Sequence, residues 1–216
     1  MSQHTLWLLR FTYKKLKEKK TVSDSKKLFH EQFPYVIPGL YKRIVDEMLV
    51  ELNLLTHQIE FFQEDLFCVG LTETFKELMK GYKPEEHLNL LFMSLCNSTN
   101  FKGEEIKETS KNFLDEIKNK SSKDISNFLV DKISNDLYSS RLLNLGLYTI
   151  FSYSKDFKES SESEKNKLIA NVISNLNLSV SKAEKDIGIY KSSLTKLKQA
   201  KELIEELKVK DKKKTN

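Results

Sequence analysis

The chain has 216 residues, a net charge of +5 and only 6 Gly and 3 Pro, with Lys, Leu, Glu, Ser and Asn dominating. That length suits one domain, the scarcity of alternating β-branched runs argues against sheets, and the Leu, Ile and Phe content excludes global disorder. The expected fold is all-α, a multi-helix bundle.

The basic charge sits at the two ends. Residues 1–20 carry Arg10, Lys14, Lys15, Lys17, Lys19 and Lys20 against Glu18, and residues 208–216 carry five Lys against Asp211, so the body between is left mildly acidic. A nucleic-acid-binding domain concentrates charge on one folded face, so no nucleic-acid partner is expected. Short basic tails suit solvent or an anionic membrane surface. No run of about 18 apolar residues occurs, which excludes a spanning helix. Leu6 to Leu9 is too short for the core of a signal peptide, and charge follows it instead of preceding it. Cys68 and Cys96 are far apart inside apolar helical patterns and read as small buried thiols, not as a disulfide or metal pair.

Taken in order, residues 1–20 form a basic tail with a short amphipathic flavour (Trp7, Leu8, Phe11), suited to a frayed end or a weak membrane-surface contact. Ser23 or Asp24 can cap a short helix through Phe33. Two strongly apolar helices follow, near 38–58 and 65–80. The first carries Leu40, Ile44, Met48 and Leu52 on one stripe and Tyr41, Val45, Leu49 and Leu55 on the next. Its outer face has Lys42 with Asp46 and Arg43 with Glu47 at i,i+4 spacing. In the second, Gly70 costs about 1 kcal/mol relative to Ala, which either a close helix approach or a kink would explain, and Gly81 suits the C-cap. Pro84 is expected to open the next helix, with Leu88, Leu91, Phe92, Leu95 and Cys96 inward. Helix 103–119 is sparsely apolar and expected at the surface, and Ser121 with Asp124 forms a capping box for helix 122–133. Ser139 or Ser140 caps a helix that is apolar nearly all round (Leu142 to Phe151) and is placed centrally. Lys155–Ser163 reads as a charged loop before helix 163–176.

Ser181 with Glu184 is the expected cap of a last helix running to about Lys210. Ile187, Tyr190, Leu194, Leu197 and Ile204 fall on heptad a/d positions, interrupted by Lys201. This helix either packs back on its own bundle or projects to meet a partner or a second copy. The domain plan is a tail (1–20), a helical bundle (21–178), a long C-terminal amphipathic or coiled-coil helix (179–210) and a Lys-rich disordered end (211–216).

The chain offers little chemistry. It has no Glu-x-x-His pair, no Gly-rich phosphate loop, no Gly-x-Ser-x-Gly and no Cys-x-x-Cys. Asp46, Glu47 and Glu51 lie beside basic neighbours and read as a solvated face. No catalytic residue, cofactor or metal is therefore expected. Tyr41, Tyr82, Tyr148 and Tyr190 could present hydroxyls at the surface.

Several blocks nonetheless occur together and in order: Tyr41-Lys42-Arg43-Ile44-Val45-Asp46-Glu47-Met48, Gly81-Tyr82-Lys83-Pro84, Ser140-Arg141-Leu142, Gly146-Leu147-Tyr148, and Glu184-Lys185-Asp186 leading to Tyr190. In these the chain resembles the thylakoid formation protein family, also described as a photosystem II biogenesis factor, over roughly residues 21–204. Glu64-Asp65-Leu66 departs from the Asp-Pro expected there. The resemblance implies a helical, non-enzymatic auxiliary factor of cyanobacterial type, acting in thylakoid biogenesis and photosystem II assembly or repair. It also implies a link to the thylakoid FtsH protease complex as partner, and a peripheral place on the cytoplasmic side of the thylakoid membrane. The residues expected to meet partners are Tyr190, Leu194, Leu197 and Ile204 on the terminal helix, which also offers weak self-association, with Tyr41, Arg43, Asp46 and Glu47 as a second face. The alternative is a lipid or pigment carrier, which needs an apolar cavity of several hundred Å³.

Overall fold

The computed structural model describes residues 19–133 and 137–214, with side chains to Leu207. Among them are ten helices: α1 (Val22–Gln32), α2 (Gly39–His57), α3 (Asp65–Leu78), α4 (His87–Ser98), α5 (Gly103–Ile117), α6 (Ser122–Lys132), α7 (Arg141–Phe151), α8 (Lys155–Glu159), α9 (Glu162–Asn175) and α10 (Val180–Lys214). No strand is present among the described residues. Most of the amino-terminal tail, residues 134–136 and the last two residues lie outside this description.

Helix α3 is the centre. Every residue from Leu66 to Phe75 is buried, so this helix is covered on all sides and has no solvent stripe. Phe67, Cys68, Leu71 and Phe75 join a core with α1, α2 and α4, while Leu66 and Val69 join a second core with α5, α6, α7, α9 and α10. Helix α7, apolar nearly all round as its sequence suggests, crosses α3 in direct backbone contact. A Cβ built on Gly70 would lie 1.8 Å from the Leu142 carbonyl oxygen, and one on Gly146 would lie 1.9 Å from the Leu66 carbonyl oxygen. The glycine in the middle of α3 is thus explained by close approach, and the contact is reciprocal.

Local signals set most helix starts, with several corrections to the sequence reading. The cap of α1 is Thr21, not Ser23 or Asp24: Asp24 is the third helical residue, and its carboxylate accepts a hydrogen bond from the Thr21 N–H at 3.0 Å. Asn53 of α2 then ties this start down, its amide donating to the Lys20 carbonyl and to Ser25 Oγ, both 2.9 Å. Pro84 does not open α4. It lies in a turn after Gly81, whose φ of +78° suits glycine, and the helix begins at His87. Helix α5 is not merely a surface element, because Ile106, Phe113 and Ile117 are fully buried against α3.

The stretch 155–163 is not a plain loop. It folds into α8, buries Phe157 at 3 % exposure and aims Asp156 at the start of α6. The Asp156 carboxylate accepts from the Ser122 N–H at 3.1 Å and from the Ser122 and Ser154 hydroxyls. These hydrogen bonds, led by the Ser122 hydroxyl, hold its pKa down at about 2. The start of α10 also moves: Ser179, not Ser181, caps it by accepting from the Lys182 N–H, and the helix continues past the expected Lys210 to Lys214.

Gly70→Ala forces the α3–α7 crossing apart and should cost about 3 kcal/mol in urea unfolding. Gly188→Ala, where a Cβ meets nothing within 4 Å, should instead stabilise α10 by about 0.5–1 kcal/mol. Asp156, ionised at low pH only because the fold holds it so, contributes stability that is present above the ordinary carboxylate range and is lost as pH falls toward about 2. The stability difference between the parent chain and Asp156→Asn should therefore shrink as urea unfolding is repeated from pH 5 down toward pH 2.

Candidate partner surfaces

The outer face of α2 carries a groove of about 800 Å³, open to solvent, lined by Arg43, Glu47, Val50, Leu54, Tyr138 and Arg141 among others. Its rim is built from the two expected pairs: Lys42 Nζ to Asp46 at 2.9 Å and Arg43 Nε to Glu47 at 2.8 Å. Both are exposed, so solvent screens them and they add little to stability. What they do is keep the charged heads over the helix while Leu54, 52 % exposed, presents an apolar floor. The far wall is Arg141, at the first turn of α7, whose guanidinium donates to the Glu51 carboxylate through Nε at 3.0 Å and also through Nη2. This fork is the better pair, because Glu51 and Arg141 are 17 % and 33 % exposed.

Behind that wall runs a polar seam. Asn144, fully buried one turn further along α7, donates its amide to Asp186 of α10 at 2.8 Å. Helix α10 is therefore fixed to the bundle by a specific hydrogen bond as well as by apolar contact. Its docking stripe is Ala183, Ile187, Tyr190 and Leu197, each buried, with Leu194 partly so. Burial pushes the Tyr190 phenol above its usual range. The stripe ends at Lys201, whose ammonium donates to the Lys80 carbonyl beyond α3 and sits 5.6 Å from the Tyr41 ring centre. The lysine that interrupts the heptad thus closes the intramolecular contact. Past it, Leu203, Ile204 and Leu207 are 57 %, 40 % and 51 % exposed.

The eight sequence-predicted partner residues accordingly divide. Arg43, Asp46 and Glu47 come together on the groove, and Ile204 lies on the exposed end of α10. Tyr190 and Leu197 are covered by the bundle, and Leu194 lies at its edge. Tyr41 is 5 % exposed and donates its hydroxyl to the Lys80 carbonyl at 3.0 Å, so it belongs to the core side of α2 and not to a partner face. Nor do Tyr82 and Tyr190 present hydroxyls: both are buried. Sequence reading missed Leu54, Tyr138 and Arg141 of the groove, and Leu203 and Leu207 of the helix end. For Leu54 a signal existed, a large apolar residue out of phase with the buried stripes of α2. Leu203 and Leu207 likewise stand four apart and off the a/d register.

Among the described residues no cluster of three or more His, Cys, Asp or Glu is arranged to hold a metal ion, and no helix is long and apolar enough to cross a membrane. Cys68 and Cys96 are both buried free thiols, and burial pushes Cys68 up to about 12.

A family model described as "Thylakoid formation protein" matches residues 21–216. The chain belongs to the thylakoid formation protein family. It is 69 % identical over 198 residues to Protein Thf1 of Prochlorococcus marinus subsp. pastoris, covering 92 % of this chain and 98 % of that protein. Protein Thf1 of Parasynechococcus marenigrum is 36 % identical over 198 residues, covering 91 % and 92 %. A solved structure of Psb29 at 1.55 Å superposes with a TM-score of 0.80 at 27 % identity, covering 90 % of this chain and 98 % of that one. The chain is thus a cyanobacterial-type member of a family of thylakoid formation and photosystem II biogenesis, and its all-helical architecture is that of Psb29.

Removing the Arg141 guanidinium leaves the largely covered Glu51 carboxylate without its fork. Arg141→Ala should cost about 2 kcal/mol in urea unfolding, while Arg43→Ala, at an exposed, solvent-screened pair on the same groove, should leave the unfolding midpoint unchanged.

Proposed function

We propose that the chain is a non-enzymatic auxiliary factor of photosystem II assembly and repair that binds and stabilises the thylakoid FtsH protease complex, working peripherally on the cytoplasmic side of the thylakoid membrane. Family membership supports the biogenesis role. The observation that carries the contact is the groove on α2, with Leu54 half exposed on its floor, Arg43, Asp46 and Glu47 on its rim and the Arg141–Glu51 fork as a rigid wall. An amphipathic helix laid into such a groove buries apolar surface and keeps its polar face wet. The docked part of α10 serves the fold, so the partner contact passes from the terminal helix to this face. A carrier of lipid or pigment encloses its cargo, whereas this groove is open along its length.

The test is affinity isolation of the tagged chain from detergent-solubilised thylakoids, beside L54E/R43E and beside a chain ending at Lys201, which keeps the whole docking stripe. The FtsH complex should be recovered with the parent and the shortened chain and fall at least tenfold with L54E/R43E. Loss with the shortened chain alone would move the contact to the end of α10. Recovery of lipid or pigment in place of the protease would favour the carrier.

A further inference from the structure

Along the outer face of α2 runs a seam whose order reads the same from both ends. Leu40, Arg43, Glu47, Val50 and Leu54 follow one another three, four, three and four residues apart, the spacing of one helical stripe. The Arg43 and Glu47 side chains are 87 % and 54 % exposed, Leu54 is half exposed, and Leu40 and Val50 are partly buried. Val36, 92 % exposed, stands four residues ahead of Leu40, just outside the helix. The seam is therefore apolar, apolar, Arg, Glu, apolar, apolar. Turned end for end, it puts Arg where Glu was and apolar where apolar was.

We propose that α2 pairs with α2 of a second copy, antiparallel, about a two-fold axis at the level of Val45. That axis puts Arg43 opposite Glu47 of the other copy and Glu47 opposite its Arg43. Leu40 then meets Val50, and Leu54 reaches the end that carries Val36. A two-fold interface has to be complementary to itself, and this face is. The charged layer at the centre fixes register and direction, while the apolar layers on each side supply area to bury. A parallel pair would stack Arg43 on Arg43 and Glu47 on Glu47. The flanks agree with the antiparallel one. The two Asp46 carboxylates approach each other across the axis, but each is already held by its own Lys42 at 2.9 Å. Glu51 and its Arg141 fork fall opposite Gly39 of the other copy, where a Cβ would meet nothing within 4 Å of its own chain. Charge over the groove balances, with Lys42, Arg43 and Arg141 against Asp46, Glu47 and Glu51, so neither a nucleic acid nor an anionic bilayer is favoured there. The pair uses the face assigned above to the protease, so a paired chain and a protease-bound chain exclude each other. That exclusion rests on the reading above; the pairing does not.

Sedimentation velocity of the purified full-length chain, over a range of concentrations, reads the pairing. The parent should show a monomer–dimer equilibrium that shifts with concentration. R43E and E47R each set like charges face to face twice, and each should raise the dissociation constant at least about tenfold. Mixed in equal amounts, the two variants should form a heterodimer, because each then offers the charge that the other lacks. R43E/E47R should pair as the parent does. In the mixture each single variant keeps the repulsion within its own α2, so reassembly there reports the contact between copies and not repair of the fold. Unchanged circular dichroism shows that the helices are intact. A monomer at every concentration overturns the proposal. So does a dimer that R43E and E47R leave intact, one that L203E/L207E disperses in their place, or single variants that stay apart on mixing. A chain that stays monomeric and still recovers the protease from thylakoids sinks the pairing alone. One that pairs as expected and recovers no protease sinks the reading above and leaves the pairing standing.

Discussion

The backbone contact between Gly70 and Gly146 is the constraint on which the rest of the molecule depends. Two helices separated by ordinary side chains pack 8–10 Å apart. Here a carbonyl oxygen of each helix occupies the space where a Cβ on the other would be. That closeness lets α3 be sheathed by α7 on one flank while α1, α2 and α4 take the other, so one helix serves two apolar clusters. The intrinsic helix penalty of two glycines, about 1 kcal/mol each, is offset by the burial they permit.

From that crossing the surface features follow geometrically. Helix α7 starts at Arg141, so placing it against α3 delivers the guanidinium to Glu51 and walls the groove on α2. One turn later Asn144 reaches Asp186 and fixes α10. The Ser140-Arg141-Leu142, Gly146-Leu147-Tyr148 and Glu184-Lys185-Asp186 blocks thus meet at one seam, and the groove and the terminal helix are positioned by a single element.

The helices themselves were legible because their cues are local: apolar spacing, an Asp or Glu three residues after a capping hydroxyl, a glycine at positive φ. Errors arose where two local answers compete. Thr21 and Ser23 are both capping types, as are Ser179 and Ser181, and which one caps depends on where the chain enters from. The Ser- and Lys-rich 155–163 stretch hides one buried aromatic, Phe157, whose pocket is made by other helices. For the candidate surfaces, residue spacing found the α2 rim but assigned Tyr41 to it, since an amphipathic tyrosine satisfies either side of a helix. The a/d stripe of α10 was read in the right register; pattern alone does not say whether its cover is the same chain or another. Arg141 could not be paired with Glu51 from sequence, because nothing near either residue points to a partner so far along the chain.

That separation has a consequence in time. Glu51 and Arg141 stand 90 positions apart, and α3 emerges soon after the first of them. At translation rates of about 5–20 residues per second, roughly 5–20 s pass between the two. During that interval the ten-residue run from Leu66 to Phe75 has no α7 to cover it. Only α1, α2 and then α4 are at hand, so the half of the protein that precedes α5 has to shelter that wholly buried run on its own until the glycine crossing can close.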